Sequence, residues 1–320
     1  MSMPKQTRIT APVAAVSDRQ FERAAAELAA RIRGRVGAAE PMARHTTWRI
    51  GGPADLFVQP LDLDDLMETI AFGREKGLPT KLVGNGSNIL VGDGGIRGLV
   101  IRLAPNFAET EWREDGVVVG AGARLARVIR EAAERGLSGL ESTVGIPGTM
   151  GGALATNAGT DTGSISDLVA EATVLDESGV VQQWGPTQFA YRYRYSNLCA
   201  ARAVVLSARL ELRPAPREEI WAKMGRLRGK RAGRQPLRAW SAGSVFKNLR
   251  AVAAGKALDR AGAKGLRVGD AQVSSKHANF LINRGRATAA TMRELIARAH
   301  DLVQRRYDID LDLEIEIVSE

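Results

Sequence analysis

Two glycine-rich stretches are notable for what their backbones could approach: GNGSN at residues 84–88 and GIPGTMGG at residues 145–152. Four glycines and a proline in eight residues cannot continue a helix or a central strand, because Pro147 lacks an amide donor and glycine costs backbone entropy. The second stretch is neither charged nor serine-rich, as a flexible linker would be, and it runs into the small residues ALATNAG. Each loop reads either as a tight turn or as a close approach of backbone to a ligand. Successive glycine and small-residue amides form nests that donate several N–H groups to an anion, and Ser87 and Asn88 add side-chain donors. The Rossmann pattern fails because its third glycine would fall at Ile89, and neither Lys230 nor Lys256 stands in Walker spacing.

Three further stretches carry groups able to bind or move charge. YRYRYS, residues 191–196, interleaves Arg192 and Arg194 with tyrosines; as a strand it exposes both arginines, and its tyrosines also suit stacking on bases. In DIDLDLEIEI, residues 308–317, Ile309, Leu311, Leu313, Ile315 and Ile317 alternate with five acids, which describes a terminal strand with one buried face. On that pattern Glu314 is one of five equals. Ser244 in SAGSVFKN reads by itself as a turn serine in a glycine-containing loop. No metal is expected, since Cys199 is the single cysteine and three scattered histidines repeat no ligand spacing.

The elements that must position these groups come from 320 residues, 44% of them hydrophobic, enough for two or three globular units. The opening twenty residues hold too short an apolar patch for a signal peptide, and no uncharged run nears the roughly 18 residues of a membrane span, so a cytoplasmic protein is expected. The net charge of +9 suits nucleic acid, a small anionic ligand or an arginine-rich surface equally. SDRQFERAAAELAARIRG predicts a helix with Phe21, Ala24, Leu28 and Ile32 on one stripe behind a Ser17 cap. RIGGPADLFVQP predicts a turn and a strand, LDLDDLMETIAFGREKG a helix closed by Gly77, and LPTKLVG another strand. Between residues 99 and 212 lie short apolar runs with one helix, ARLARVIREAAERG, a mixture without the regular alternation of a doubly wound fold. The proline-rich RPAPREEIW marks a boundary, beyond which come a basic helix, a long helix over 289–306 and the final strand.

HTTWRIGGPADLFV, GNGSNILVGDGGIRGLVI, GLESTVGIPGTMGGALATNAG, FAYRYRYSNL, RQPLRAWSAGSVFKN, KHANFLIN and IDLDLEIEI together, in this order, resemble the UDP-N-acetylenolpyruvoylglucosamine reductases of peptidoglycan synthesis. The resemblance runs from about Phe21 to the C-terminus. Ahead of it, outside the resemblance, a flexible polar tail is expected over 1–20; the resemblance implies an α+β chain with the FAD-binding fold shared with vanillyl-alcohol oxidase in subdomains 21–79 and 80–213 and an α+β substrate-binding domain over 214–320. It further implies an FAD-dependent, NADPH-consuming enzyme that reduces the enolpyruvyl ether of UDP-N-acetylglucosamine enolpyruvate to UDP-N-acetylmuramate. Its expected partner is that small molecule, without nucleic acid or membrane, and a monomer is expected.

By the same resemblance FAD lies against Arg49, Gly51 and Gly52; against Gly84, Asn85, Gly86, Ser87 and Asn88; and against Gly145, Pro147, Gly148, Thr149, Gly151 and Gly152, with Asn157, Ala158 and Gly159 continuing the wall. Ser244 takes the place of the family's proton donor, Arg194 that of the arginine facing the substrate carboxylate, and Glu314 that of the catalytic glutamate. Arg192 rivals Arg194 by chemistry, and Asp312 and Glu316 rival Glu314 because Leu313 stands where the family's LEPE has proline. Tyr193, Lys247, Asn248 and His277 are expected at the substrate, and Arg231 is assigned to its diphosphate among the cations of RGKRAGRQPLR. Asn85 and Leu249 are small departures from the family pattern that remove no reacting group.

Overall fold

The computed structural model describes residues 18–103, 105–249 and 252–318; Ser17 and most of the expected tail lie outside them. The first helix, Asp18–Ala29, buries Phe21 and Leu28, and Ile32 just beyond it joins the same core. That core covers a four-stranded sheet in the order Arg35–Pro41, Pro53–Gln59, Ile96–Arg102, Thr80–Val83, of which the first pair is antiparallel and the others parallel. The helix Leu63–Glu75 begins at Asp62, whose side chain accepts the Asp65 amide, and contributes Leu66 and Phe72. On the central strand Leu56 and Val58 face this core while Phe57 faces a second one with Met42, Val91 and Val100, the period-2 alternation of a strand.

Strands on both sides of the expected 79/80 division share this sheet, because Ile96–Arg102 returns to lie between Pro53–Gln59 and Thr80–Val83. That division therefore cuts a hydrogen-bonded sheet.

The second sheet is wholly antiparallel, in the order Val181–Trp184, Val169–Leu175, Val204–Glu211, Gly116–Gly120, Thr110–Arg113. The helix Leu125–Glu134 packs Val128, Ile129, Ala132 and Ala133 into its core. The basic helix Arg217–Arg234 adds Ile220 and Met224 to the same core, so the packing unit continues past the expected 213/214 boundary.

The third core unites helices Ala254–Arg260 and Ala289–Tyr307 with the short strands Arg267–Val268, Ala271–Val273 and Leu281–Asn283. It also takes in Trp48, Ile50 and Leu90 from the first third of the chain. Trp48 is fully buried and donates its indole N–H to the Leu281 carbonyl, while the Asn283 side chain donates back to the Trp48 carbonyl. Only Glu316–Val318 of the expected terminal strand is a strand, paired parallel to Ile89–Val91. The alternating residues before it are held instead by an isolated bridge between Leu313 and Phe246. Among the described residues no helix is long and apolar enough to cross a membrane.

Asp93 closes this interface by capping a helix from another part of the chain. Its two carboxylate oxygens accept the Ala289 and Ala290 amides at 2.7 and 2.8 Å, two of the donors that the first turn of a helix leaves unpaired. Replacing Asp93 with Ala should cost about 1 kcal/mol, the usual worth of such a cap, and Asp93→Asn less. Urea midpoints of the two variants against the parent measure both.

Candidate active site

The two glycine loops meet. The Ser87 hydroxyl donates to the Pro147 carbonyl at 3.0 Å, and a Cβ placed on Gly84 would stand 2.7 Å from Thr149 Oγ1. Several of these glycines are demanded by the fold itself. Gly86 has φ +58° and a Cβ there would lie 2.0 Å from the His45 carbonyl oxygen; a Cβ on Gly51 would press on Val91, one on Gly52 on the Asp93 carbonyl, and one on Gly159 on Gly163 and Ser164. Gly151 is pressed on Ala121, and Gly148, at φ +141°, on Ser87. Thr149 caps the short helix Met150–Ala155, accepting the Gly152 amide.

What these contacts leave over is a row of donors. The amides of Gly84, Asn85, Gly86 and Ser87 donate to no other described residue, and neither does that of Gly148. Adjacent amides of this kind suit a diphosphate, and they fit FAD. Arg49 is turned elsewhere: exposed, with φ +55°, its guanidinium lies 4.1 Å from the centre of the Trp240 ring. Within HTTWRIGG it is Thr47 whose amide reaches the loop, at the Gly86 carbonyl.

Residues 191–196 form a tight turn, not a strand: Arg192 and Tyr195 exchange both backbone hydrogen bonds, and Arg194 takes φ +54°. The turn separates the two arginines. Arg192 stacks on Tyr195 at 4.3 Å. Arg194 points inward, donating from Nε to Glu314 Oε1 at 2.6 Å, from Nη2 to the Gly159 carbonyl at 3.0 Å and from Nη1 to the Asn157 carbonyl at 3.4 Å. Asn157, itself at φ +45°, donates to the Arg192 carbonyl, and the buried Ala158 lies between the two acceptors. Tyr193 reaches the C-terminal part of the chain, its hydroxyl accepting the Asn248 amide, while Asn248 Oδ1 accepts the Ala254 amide.

Ser244, Lys247 and Glu314 are gathered by backbone pairing. The Glu314 amide donates to the Val245 carbonyl and the Lys247 amide to the Asp312 carbonyl, both at 2.8 Å. Gly243, at φ +78° with open space where a Cβ would sit, turns the chain just before Ser244, whose hydroxyl bonds to no other described residue. Asn88, expected at FAD, donates its side chain to the Glu314 carbonyl and accepts the Glu316 amide, so it joins the first glycine loop to the acid. Burial raises the Glu314 pKa above the usual carboxylate range, a shift that Arg194 and, after it, Lys247 oppose without cancelling. Glu316 is exposed and pairs with Lys81.

Arg231 lies behind the second loop, bonded to the Val144 carbonyl and Gln235 and close under Gly145; burial first, and then the Arg194 charge, lowers its pKa. His277 is half-buried against Phe280 with its Cε1 near Gly255, and burial lowers its pKa. Its Nδ1 accepts the Asn279 amide, which assigns the ring proton to Nε2. Sequence reasoning missed Asp93, Trp240 and Asn279; the last sits inside the quoted KHANF, where the motif itself was the available signal.

Two sequence families match the chain: the FAD binding domain over residues 54–185, and the UDP-N-acetylenolpyruvoylglucosamine reductase C-terminal domain over residues 235–318. The UDP-N-acetylenolpyruvoylglucosamine reductase of Moorella thermoacetica is 47% identical over 290 residues, which cover 88% of this chain and 92% of that protein. The chain belongs to the UDP-N-acetylenolpyruvoylglucosamine reductase family. UDP-N-acetylenolpyruvoylglucosamine reductase 2 of Symbiobacterium thermophilum is 42% identical over 89% of this chain and 92% of its own length. The crystal structure of the reductase from Thermus caldophilus matches with a TM-score of 0.77 at 37% identity, covering 89% of this chain and 99% of that one. The family consists of FAD-dependent oxidoreductases that use NADPH and reduce the enolpyruvyl group of UDP-N-acetylglucosamine enolpyruvate in peptidoglycan synthesis.

The raised pKa of Glu314 has a consequence for stability. A carboxyl whose pKa is higher folded than unfolded favours the folded state fully below its unfolded pKa and loses that contribution as pH rises through the folded value. Glu314→Gln removes this titration, so its stability relative to the parent should improve as pH climbs from about 4 to 8. Urea midpoints of both proteins across that range give the difference; a flat or falling margin would contradict it.

Proposed function

We propose that this chain reduces UDP-N-acetylglucosamine enolpyruvate with Ser244 as the proton donor, Arg194 and Glu314 at the substrate carboxylate, and the Gly84–Ser87 amides at the FAD diphosphate. The observation that carries the proposal is the convergence on Glu314: Arg194 holds its carboxylate while its amide is bonded to the residue after Ser244. The substrate's vinyl group is conjugated to a carboxylate, so a hydride added to its terminal carbon drives charge into that carboxylate. FAD, reduced by NADPH, supplies the hydride.

The protein supplies the rest. Arg194 presents a planar fork to the oxygens that gain charge. Glu314 holds that guanidinium through Nε, and burial raises the Glu314 pKa. The adjacent carbon then takes its proton from the Ser244 hydroxyl, and Lys247, whose charge is felt at Glu314, borders the substrate. Tyr193, Asn248 and His277 border the substrate in this reading. Arg231 serves the diphosphate, its Nη2 being the guanidinium nitrogen that bonds to no described residue. Gly51, and Gly145 to Gly159 on the other side, complete the flavin wall, which Arg49 joins only by leaving the Trp240 ring. The domain division belongs to the same proposal, with its boundaries moved to the ends of the packing units, near residues 102 and 234. A cytoplasmic monomer acting on a small molecule alone completes the reading.

Ser244→Ala tests the proton's source by stopped-flow. Reduction by NADPH asks nothing of the hydroxyl and should keep nearly the parent rate. Reoxidation by the enolpyruvyl substrate should slow by about 10² to 10⁴, roughly 3 to 5 kcal/mol of barrier. Ser244→Cys, a stronger acid of similar shape, should recover part of it. Equal slowing of both half-reactions would make Ser244 structural.

The turn at residues 191–196 generates a second comparison. Arg194→Lys keeps the charge but loses the three-way fork, whereas Arg192→Lys gives up only a stacked contact, so turnover should fall far more in the first. The reverse order in two folded, flavin-bound variants would move the carboxylate-binding role to Arg192.

A further inference from the structure

The segment that carries Ser244 lies between two others without forming a regular strand. On one side Phe246 bridges Leu313 and the segment is held by the two bonds to Asp312 and Glu314. On the other, Ser244 bridges Phe280 and the Val245 amide donates to the Asn279 carbonyl at 2.9 Å. A neighbouring strand would next have to offer Phe246 one acceptor and one donor. The Asn279 side chain offers both: its Oδ1 accepts the Phe246 amide at 2.9 Å, and its Nδ2 donates to the Phe246 carbonyl at 2.8 Å. Asn279 is 2% exposed, so these bonds are not shared with solvent, and its backbone amide is fixed on His277.

We propose that Asn279 is a positioning residue for proton transfer, clamping Phe246 through both side-chain atoms so that Ser244 keeps its place over the substrate. The inference rests on Ser244 being the proton donor. It has a mechanical reason. Gly243 at φ +78° carries no side chain to hold the turn, so the orientation of Ser244 rests on its bridge to Phe280 and on the residues on its C-terminal side. Val245 is held by backbone on both sides, but Phe246 is held toward residues 279–280 by the Asn279 carboxamide alone. At neutral pH a carboxamide is the side chain of this size that places a donor and an acceptor side by side. A misplacement of about 1 Å at a reacting group costs on the order of 10²-fold in rate.

The test uses flavin-loaded variants in stopped-flow. Asn279→Ala should slow reoxidation by the enolpyruvyl substrate about 10- to 100-fold while reduction by NADPH stays within about threefold of the parent. In the Ser244→Ala background it should add less than about threefold, because a clamp that acts through the hydroxyl has nothing left to position. Asn279→Asp keeps the acceptor but sets a carboxylate oxygen against the Phe246 carbonyl; protonated, the introduced carboxyl again offers a donor. Its reoxidation rate, as a ratio to the parent, should therefore rise as pH falls. Taking the ratio removes the titration of the groups common to both proteins on the surrounding elements: His277 and Lys276 on the same segment, Lys247 and Glu314 across Phe246, and Lys256 on Ala254–Arg260. Equal slowing of both half-reactions, full additivity with Ser244→Ala, a flat pH ratio, or loss of flavin from both variants would overturn the inference. If Ser244→Ala reoxidises at the parent rate, the reading of Ser244 fails and this inference with it; if Ser244→Ala is slow and Asn279→Ala is not, only this inference falls.

Discussion

Arg194 and Glu314 form an ion pair at 2.6 Å with both side chains mostly withdrawn from solvent, at 22% and 15% exposure. Burying two charges carries a desolvation penalty that their attraction alone does not reliably recover. Here the guanidinium also donates to the Asn157 and Gly159 carbonyls, so its donors are met on three sides. Each partner comes from a different packing unit. Arg194 belongs to a turn beside the second sheet, its carbonyl partners lie just beyond the second glycine loop, and Glu314 lies between the segment of Ser244 and the first loop through Asn88. Remove the pair and the three parts lose the contact at which their chemistry meets.

The glycines serve two ends at once. Gly84, Gly86, Gly51 and Gly159 are small because protein backbone or side chains occupy the space a Cβ would need. The contact of Gly84 with Thr149 and the Ser87–Pro147 bond draw the loops together, and the amides of Gly84–Ser87 are left as the unspent donors. A cradle for an anion is thus a by-product of how the loops pack, which is why the glycine patterns alone suggest both a tight turn and a ligand. Both readings apply.

Much of the fold was legible in periodicity. The stripe of Phe21, Leu28 and Ile32 and the apolar runs of both sheets are local patterns, and local patterns survive folding. Boundaries were less legible, because Ile96–Arg102 inserts between earlier strands and Arg217–Arg234 packs backward, and neither fact leaves a mark in composition. The alternation in DIDLDLEIEI promised a strand throughout, but pairing partners exist for only part of it. The candidate site residues were named through motifs, whereas their contacts were not: nothing local in the sequence says that Asn88 reaches Glu314 or that Asp93 caps a helix some two hundred positions away. Long-range hydrogen bonds have no period.

The pairing of Glu316–Val318 with Ile89–Val91 bears on how the protein is made. Asn88 and Glu314 are 226 positions apart, and at about 5 to 20 residues per second the ribosome needs on the order of 10 to 50 s to travel from one to the other. Throughout that interval the strand beside the first glycine loop has no partner, and Trp48 and Leu90 have no third core to enter. The two sheets can close during synthesis, since each is complete by residue 211. The candidate site cannot. It is assembled only once residues 314–318 have been made and dock beside Asn88, so a polypeptide cut short of Glu314 holds folded sheets without that site.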